Sequence, residues 1–290
     1  MNVQCTSDNN DNNDNNDNND KQKFAIVGLG FIADKHIQTI KQLGHELVCG
    51  CDIDEEKAYK IGEATFYKDI SLMLASEQID WVVICTPNYL HFEHIVASIK
   101  ADKKVLCEKP PVITKEQYNM LDQMDKKDNI NFVFQCRYAE YDIPILPYNE
   151  VEMNIEVYRD QWYMESWKAD PDRSGGLLFN IGVHYFDLLQ WWFGRYASCK
   201  FINNNPKRVE GELQLSRAKV KYTVAIDVPI DKQKRIFKIN GKEINLTQLG
   251  FDGLHKEVYK HTLEGNGFKL RDYELTFNLI KNIYAEDDNK

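Results

Sequence analysis

Residues 24–33 read Phe-Ala-Ile-Val-Gly-Leu-Gly-Phe-Ile-Ala, and they decide the fold. Phe24 to Val27 is a short apolar run, the pattern of a parallel strand buried on both faces. Gly28-Leu29-Gly30-Phe31-Ile32-Ala33 is G-x-G-x-x-A, and a helical pattern follows to Leu43. Between a strand and a helix, Gly28 permits the tight turn and Gly30 lets backbone approach a pyrophosphate. Ala33 lets the helix pack closely on the strand. The helix N-terminus offers free N–H groups and the positive end of its dipole to phosphates. The motif alone is weak, so the rest of the chain has to agree with it.

It does agree. The next strand, Glu46 to Cys51, ends at Asp52, 24 residues after Gly28. That is close to the ~20 at which such folds place the acid that holds the adenosine ribose. A carboxylate there accepts from the ribose hydroxyls and repels a 2′-phosphate, which favours NAD over NADP. The alternative is a strand-end turn in which Asp52-Ile53-Asp54 caps the next helix. Further strands are expected at Ile79–Cys85, Val105–Cys107 and Asn131–Gln135. Thr86-Pro87-Asn88 and Glu108-Lys109-Pro110 follow the first two, at carboxyl ends where parallel sheets gather ligands. The β/α alternation stops near Arg137.

From Glu150 the apolar period changes to two: Val151, Met153, Ile155 and Val157, later Val220, Tyr222, Val224 and Ile226. Arg235–Ile239 and Lys242–Leu246 flank Asn240-Gly241, a hairpin signal. This half reads as a mostly antiparallel sheet with one solvated or subunit-covered face. Two helical patterns, 252–264 and 271–285, close the chain. Inside it, Gly175-Gly176 opens another helical pattern in which Asn180 and His184, four apart, share a face. A glycine pair there admits a close approach by backbone or ligand. Taken alone, Asn-x-x-x-His is a buried helix with a satisfied histidine.

The expected fold is therefore α/β: an N-terminal Rossmann doubly wound parallel sheet plus a C-terminal α+β domain with a mostly antiparallel sheet. The divisions are residues 1–20, a disordered leader; 21–136, a dinucleotide-binding domain; and 137–290, a substrate-binding domain. The leader repeats Asp-Asn-Asn, from which no core can be built. Asp8, Asp11, Asp14, Asp17 and Asp20 carry five of the net charge of −9. The mildly acidic remainder has no basic stripe, which argues against nucleic acid as a partner. No apolar run approaches the ~18 residues of a membrane span, and no signal peptide is visible. The seven cysteines fall mostly in apolar runs without metal or redox spacing. Reduced thiols and a cytoplasmic location are expected.

Gly-Leu-Gly-Phe-Ile-Ala, Cys-Thr-Pro-Asn-Tyr-Leu-His (85–91), Cys-Glu-Lys-Pro (107–110) and Gly-Gly-Leu-Leu-Phe-Asn-Ile-Gly-Val-His (175–184) together resemble the Gfo/Idh/MocA oxidoreductases. Trp162-Tyr163-x-x-Ser166-Trp167-Lys168-x-Asp170 before the glycines narrows the resemblance to nucleotide-sugar 3-dehydrogenases. The wider family's Asp four residues before the histidine is Asn180 here, as in that subgroup. The chain departs from the pattern between Arg137 and Val151, where it looks short and Tyr138-Ala139 replaces His-Pro. The resemblance implies oxidation of the C3′ hydroxyl of a nucleotide sugar, UDP-N-acetylglucosaminuronate-like, by NAD, in making acetamido sugars for polysaccharide. Alternatives are another sugar or polyol as substrate, or a non-catalytic NAD-binding regulator. A homo-oligomer through the antiparallel sheet is expected.

Oxidising a secondary alcohol needs a base for the hydroxyl proton beside the nicotinamide. Lys109 and His184 are the candidates, and the sequence leaves open which is the base. Lys109 needs its pKa lowered from ~10.4, whereas histidine titrates near neutrality unaided. Expected cofactor contacts are Gly28, Gly30, Phe31, Ile32, Asp52, Thr86, Pro87, Asn88, His91, Glu108 and Lys109. Expected substrate contacts are Lys109, Arg137, Lys168, Asn180 and His184. Arg137 binds a phosphate or carboxylate, or pairs with Glu140 or Asp142. Trp162, Tyr163 and Trp167 wall the substrate or pack. No metal is expected: His91 and His94 have no third ligand at a recognisable spacing.

Overall fold

The structure is a computed structural model that describes residues 21–246 and 253–285. The leader (1–20) and Asp252, the first residue of the expected 252–264 helical pattern, lie outside the described residues.

The N-terminal sheet has six strands: β1 (Lys23–Val27), β2 (Glu46–Cys51), β3 (Thr65–Tyr67), β4 (Trp81–Ile84), β5 (Lys104–Cys107) and β6 (Ile130–Phe132). All pair in parallel, in the order β3-β2-β1-β4-β5-β6. Chain order reverses between β1 and β4, so the loops after those strands diverge around a crevice, the usual ligand position in such sheets. The connecting helices are α1 (Ala33–Gln42), α2 (Ile70–Ser76), α3 (Asn88–Lys100) and α4 (Lys115–Asp122). β1 and β4 are buried almost throughout because helices cover both faces, which is why they read as unbroken apolar runs. β3 and α2 had no clear signature. The strand expected at Asn131–Gln135 is shorter, and Gln135–Tyr138 forms a 3₁₀ turn instead.

The second sheet contains β7 (Asn149–Glu156), β8 (Tyr196–Asn205), β9 (Arg208–Leu215), β10 (Ala218–Ala225), β11 (Lys234–Ile239) and β12 (Lys242–Asn245). Its order is β12-β11-β7-β10-β9-β8, antiparallel except for the parallel pair β7–β10. Strict alternation of buried and accessible residues along β7 and β9 matches the period of two. Asn240 and Gly241 both adopt positive φ, as a tight hairpin requires.

Between β7 and β8 lie α5 (Gln161–Glu165), α6 (Pro171–Ser174) and α7 (Val183–Phe193), and the last described elements are α8 (Leu254–Leu263) and α9 (Leu270–Ala285). α7 is apolar nearly all round because it is sandwiched. Phe186 meets Tyr222 of β10 edge-on at 5.3 Å and Trp192 meets Phe237 of β11 at 5.3 Å, while α9 covers the far side. α8 returns to the first domain, where Val258 and Tyr259 join Phe24, Ile26 and Ile37 in one apolar cluster. A cut at 136/137 therefore leaves α8 in the sequence of one domain and the core of the other.

Candidate active site

Gly28 has φ +90°, and a Cβ there would stand 2.7 Å from Thr86 N and 2.8 Å from Cys85 C. The loop after β4 thus crosses directly over the glycine turn, and only glycine fits. Gly30 is the opposite case: an added Cβ would meet nothing within 4 Å. Open space at Gly30, an α1 N-terminus with no capping side chain and an exposed Phe31 make a cradle that fits a dinucleotide pyrophosphate. Ile32, Thr86 and Pro87 remain partly accessible around it.

Asp52 is tied into this turn. Its Oδ2 accepts from Leu29 N at 2.7 Å, and its Oδ1 accepts from Asp54 N at 2.9 Å and Lys57 Nζ at 3.1 Å. The carboxylate therefore pins the glycine loop from the end of β2. Lys57 supplies a cation that sequence spacing did not flag. The helix-capping alternative falls to Asp54, whose side chain accepts from Glu56 N at the start of a 3₁₀ turn.

Three expected cofactor contacts have their polar atoms engaged elsewhere. Asn88 is buried and donates its amide to Ser174 O at 2.8 Å, tying α3 to the turn before Gly175. His91 is buried with its ring nitrogens 2.8 Å from Pro110 O and 2.8 Å from Thr86 O, so it staples the loops after β4 and β5 together. Glu108 points inward. His36 Nε2 donates to its Oε1 at 3.1 Å, and His255 Nε2 stands 3.5 Å from the same oxygen. Burial alone would raise the Glu108 pKa, but its contacts with His255 and His36 outweigh burial and hold it well below the carboxylate range. A charged Glu108 makes Nε2 the protonated nitrogen of His36, so Nδ1 accepts from Tyr259 Oη at 2.9 Å. His36, Glu108 and His255 place three donor atoms within 4.8 Å of one another, a set able to hold a metal ion, although hydrogen bonding already accounts for His36 and Glu108. None of His36, His255 and Tyr259 stood out in the sequence.

Lys109 leaves the end of β5 in the opposite direction. Its Nζ donates to the backbone carbonyl of Asn180 at 3.3 Å. Burial lowers its pKa, with Glu108 opposing. Asn180 lies in a single π-helical turn, Leu178–Gly182, that leads into α7, so the helix expected after the glycines carries a bulge. Such bulges re-aim side chains and are frequent at functional sites. Here the Asn180 amide donates to Tyr163 Oη at 2.7 Å. His184, one turn on, has a buried Nδ1 with no hydrogen-bond partner. Burial first, then the Lys109 charge, hold its pKa well below that of free histidine. Lys109, Asn180 and His184 are thus brought together. The glycine pair before them serves packing: Cβ atoms at Gly175 and Gly176 would meet Ile113 at 2.8 Å and Tyr284 Oη at 2.7 Å.

Lys168 stacks its ammonium over Trp162 at 4.8 Å and Trp167 at 5.8 Å, and burial lowers its pKa. Tyr163 packs inside, whereas Trp162 is about half exposed. Arg137 corrects its expectation. It forms a two-pronged pair with Asp187, at 2.7 and 2.6 Å, and donates to Asp272 O at 3.1 Å. Its guanidinium lies over Trp191 and Phe268. All of this spends the side chain on joining the 3₁₀ turn to α7 and α9, and neither Glu140 nor Asp142 is its partner. The six described cysteines are free thiols, and no helix among the described residues is long and apolar enough to cross a membrane.

A doubly wound domain with an open glycine cradle, and a lysine from it that meets the turn leading to His184 in the second domain, fit a dinucleotide-dependent oxidoreductase fold. The chain belongs to the Gfo/Idh/MocA family: residues 22–135 match its oxidoreductase family, NAD-binding Rossmann fold domain, and residues 148–276 its C-terminal alpha/beta domain. It is similar to the WlbA (WbpB) dehydrogenase of Thermus thermophilus. One structure of that protein, with NAD and alpha-ketoglutarate, is 30% identical with a TM-score of 0.81, over 88% of this chain and 92% of that one. Another, with NAD and UDP-GlcNAcA, is 29% identical with a TM-score of 0.79, over 89% and 93%. The D-glucoside 3-dehydrogenase of Escherichia coli is 26% identical over 62% of this chain, which spans 56% of that protein's length. The myo-inositol 2-dehydrogenase of Thermotoga maritima is 24% identical over 63% of this chain and 58% of its own.

Proposed function

We propose that the protein oxidises the C3′ hydroxyl of a nucleotide sugar of the UDP-N-acetylglucosaminuronate type with NAD as hydride acceptor. The observation that carries this is the meeting of Lys109 with Asn180 and His184 at the junction of the two domains. NAD, when bound, supplies the electrophilic ring that takes the hydride. Gly28, Gly30, Phe31 and the α1 N-terminus are the groups that would hold its phosphates, and Asp52 its ribose. Lys109 is the better base. Its pKa is lowered from the ordinary lysine value toward the working range, where a general base is most effective. His184 is pushed well below its ordinary value and is a poor proton acceptor, so its neutral imidazole orients the hydroxyl. Asn180 reads a hydroxyl without adding charge, and Lys168 meets the uronate carboxylate. The nucleotide sugar is favoured by the likeness to a dehydrogenase solved with UDP-GlcNAcA. A free sugar or polyol is the second reading, supported by the D-glucoside and myo-inositol dehydrogenases among the relatives. A cytoplasmic setting and self-association through the second sheet complete the proposal.

The test is NADH formation on a panel of UDP-sugars, free sugars and polyols, with a 2-oxo acid added to recycle any retained cofactor. Turnover of UDP-N-acetylglucosaminuronate above all others is expected. Turnover of free sugars alone would transfer the conclusion to the second reading, and no turnover of any would leave a binding protein.

A further inference from the structure

From Asn180 the contacts lead away from Lys109 toward a cavity at the end of the second sheet. Tyr163 Oη receives the Asn180 amide, and the Arg159 guanidinium sits over the Tyr163 ring at 5.6 Å. Arg159 also lines a cavity of about 300 Å³ with Tyr158, Met164, Lys207, Ile226 and Asp227. The cavity lies at the C-terminal ends of β7 and β10. These strands form the parallel pair of the sheet, so both exit on the same side.

The charges in this cavity are unbalanced. Asp227 is taken by Arg208 at 2.7 Å. Among the described residues neither Arg159 nor Lys207 is in an ion pair; the Arg159 hydrogen bond goes to the Tyr158 carbonyl at 2.9 Å. Burial, with the neighbouring Arg235 charge, pulls the Arg159 pKa below its ordinary value despite the opposing pulls of Tyr163, Tyr185 and Asp160. Holding a partly buried guanidinium outside any ion pair, with only the Asp160 charge, beyond ion-pairing distance, to oppose it, costs free energy that an anionic ligand would offset. Tyr158 and Met164, 38% and 40% exposed, add flat and apolar surface beside the two cations. Arg159 is near enough for its charge to bear on both Lys109 and Lys168, so this cavity neighbours those two lysines.

We propose that this cavity is the nucleoside-diphosphate subsite of the substrate pocket, with Arg159 and Lys207 holding the diphosphate and Tyr158 and Met164 flanking the nucleoside. The inference rests on the nucleotide-sugar reading and adds where the nucleotide half lies. Arg159 bridges the halves, because its guanidinium touches the Tyr163 ring whose hydroxyl fixes Asn180.

The experiment is calorimetric titration of UDP, and separately of uridine, into NAD-saturated protein, comparing wild type with Arg159→Gln, Arg159→Lys and Lys207→Gln. A lost charge-assisted hydrogen bond is worth roughly 10- to 100-fold in affinity. Arg159→Gln and Lys207→Gln should each weaken UDP by about that factor, with Arg159→Lys in between. Uridine should bind weakly and equally to all, and NAD affinity should stay constant. Lys207 is exposed, so its variant reports without disturbing the core. UDP affinity unchanged in both glutamine variants, or UDP that displaces NAD, would overturn the subsite. Oxidation of UDP-N-acetylglucosaminuronate by the wild type is measured in parallel. If oxidation persists while UDP ignores both cations, the subsite alone falls. If the wild type neither binds UDP nor oxidises any UDP-sugar, the functional reading falls with it.

Discussion

The Lys109 ammonium meets the Asn180 carbonyl at 3.3 Å, and this contact joins the end of β5 to the π turn before α7. Because the acceptor is backbone, the Asn180 side chain is left to bond Tyr163. One domain aims the lysine and the other anchors it.

That arrangement predicts the kinetics of two variants. Lys109→Ala and His184→Ala should each slow hydride transfer by ~10²–10⁴-fold with NAD affinity nearly unchanged. The losses should not multiply in the double variant, since both groups act on one hydroxyl. With Lys109 as base, its lowered pKa places the rising limb of the wild-type pH–rate profile below 10.5, and this limb should vanish in Lys109→Ala. Single-turnover NADH formation across pH checks both points. Full activity without Lys109 would refute its role.

Asp52 predicts cofactor choice. Its carboxylate disfavours a 2′-phosphate, although Lys57 at 3.1 Å offsets part of that charge. NAD should bind at least about tenfold tighter than NADP, the equivalent of ~1.4 kcal/mol. Asp52→Asn should narrow the gap, and Lys57→Ala should widen it. Dinucleotide titration by fluorescence decides. Equal binding of NAD and NADP to the wild type would remove the discriminating role from Asp52.

The first domain was legible because its constraints are local: a glycine turn, a capping aspartate and unbroken apolar strands are each set within a few residues. Lys109, Asn180 and His184 were legible because their motifs fix them to a strand end and a helix. The rest of the site depends on pairings far apart in the chain. His36 meets Glu108 across 72 residues, and Tyr259 reaches His36 across 223. No spacing signals that α8 folds back on α1. Arg137 misled for the same reason. Glu140 and Asp142 are near in sequence, while its true partner Asp187 lies 50 residues on. The π turn at Asn180 was invisible because its residues keep an ordinary helical pattern.

The Arg137–Asp187 pair predicts a stability effect. Both side chains are nearly inaccessible, 8% and 2% exposed. Removing one partner leaves the other as an uncompensated buried charge, which typically costs about 3–5 kcal/mol. Arg137→Ala should therefore unfold at markedly lower denaturant, with Arg137→Lys nearly as harmful because it loses the two-pronged geometry. A substrate role instead would give normal stability with a raised KM. Urea denaturation read alongside KM separates the two.

Acid should unfold the protein in two stages, and the sign follows from the buried groups. His36 and His184 have folded pKa values below 6.5, chiefly through burial, and burial takes His94 to about 4. In the unfolded chain these imidazoles protonate as pH falls through 6.5, while in the fold they stay neutral. The unfolded state then binds more protons, so stability is full above about pH 6.5 and declines below it. Glu108 adds a second stage with the same sign. Its folded pKa lies well below 4.5, so its contribution is present above that value and is lost as pH falls through the folded pKa. The melting temperature should be level from about pH 7 to 8 and fall from about pH 6.5 downward, more steeply below about 4.5. His94→Gln removes one group from the upper stage and should flatten the decline between pH 6.5 and 4.5 relative to the wild type. Differential scanning fluorimetry across pH 4–8 measures this. A melting temperature that rises on acidification from pH 6.5 to 5 would mean that these histidines are held protonated in the fold, against the burial that surrounds them.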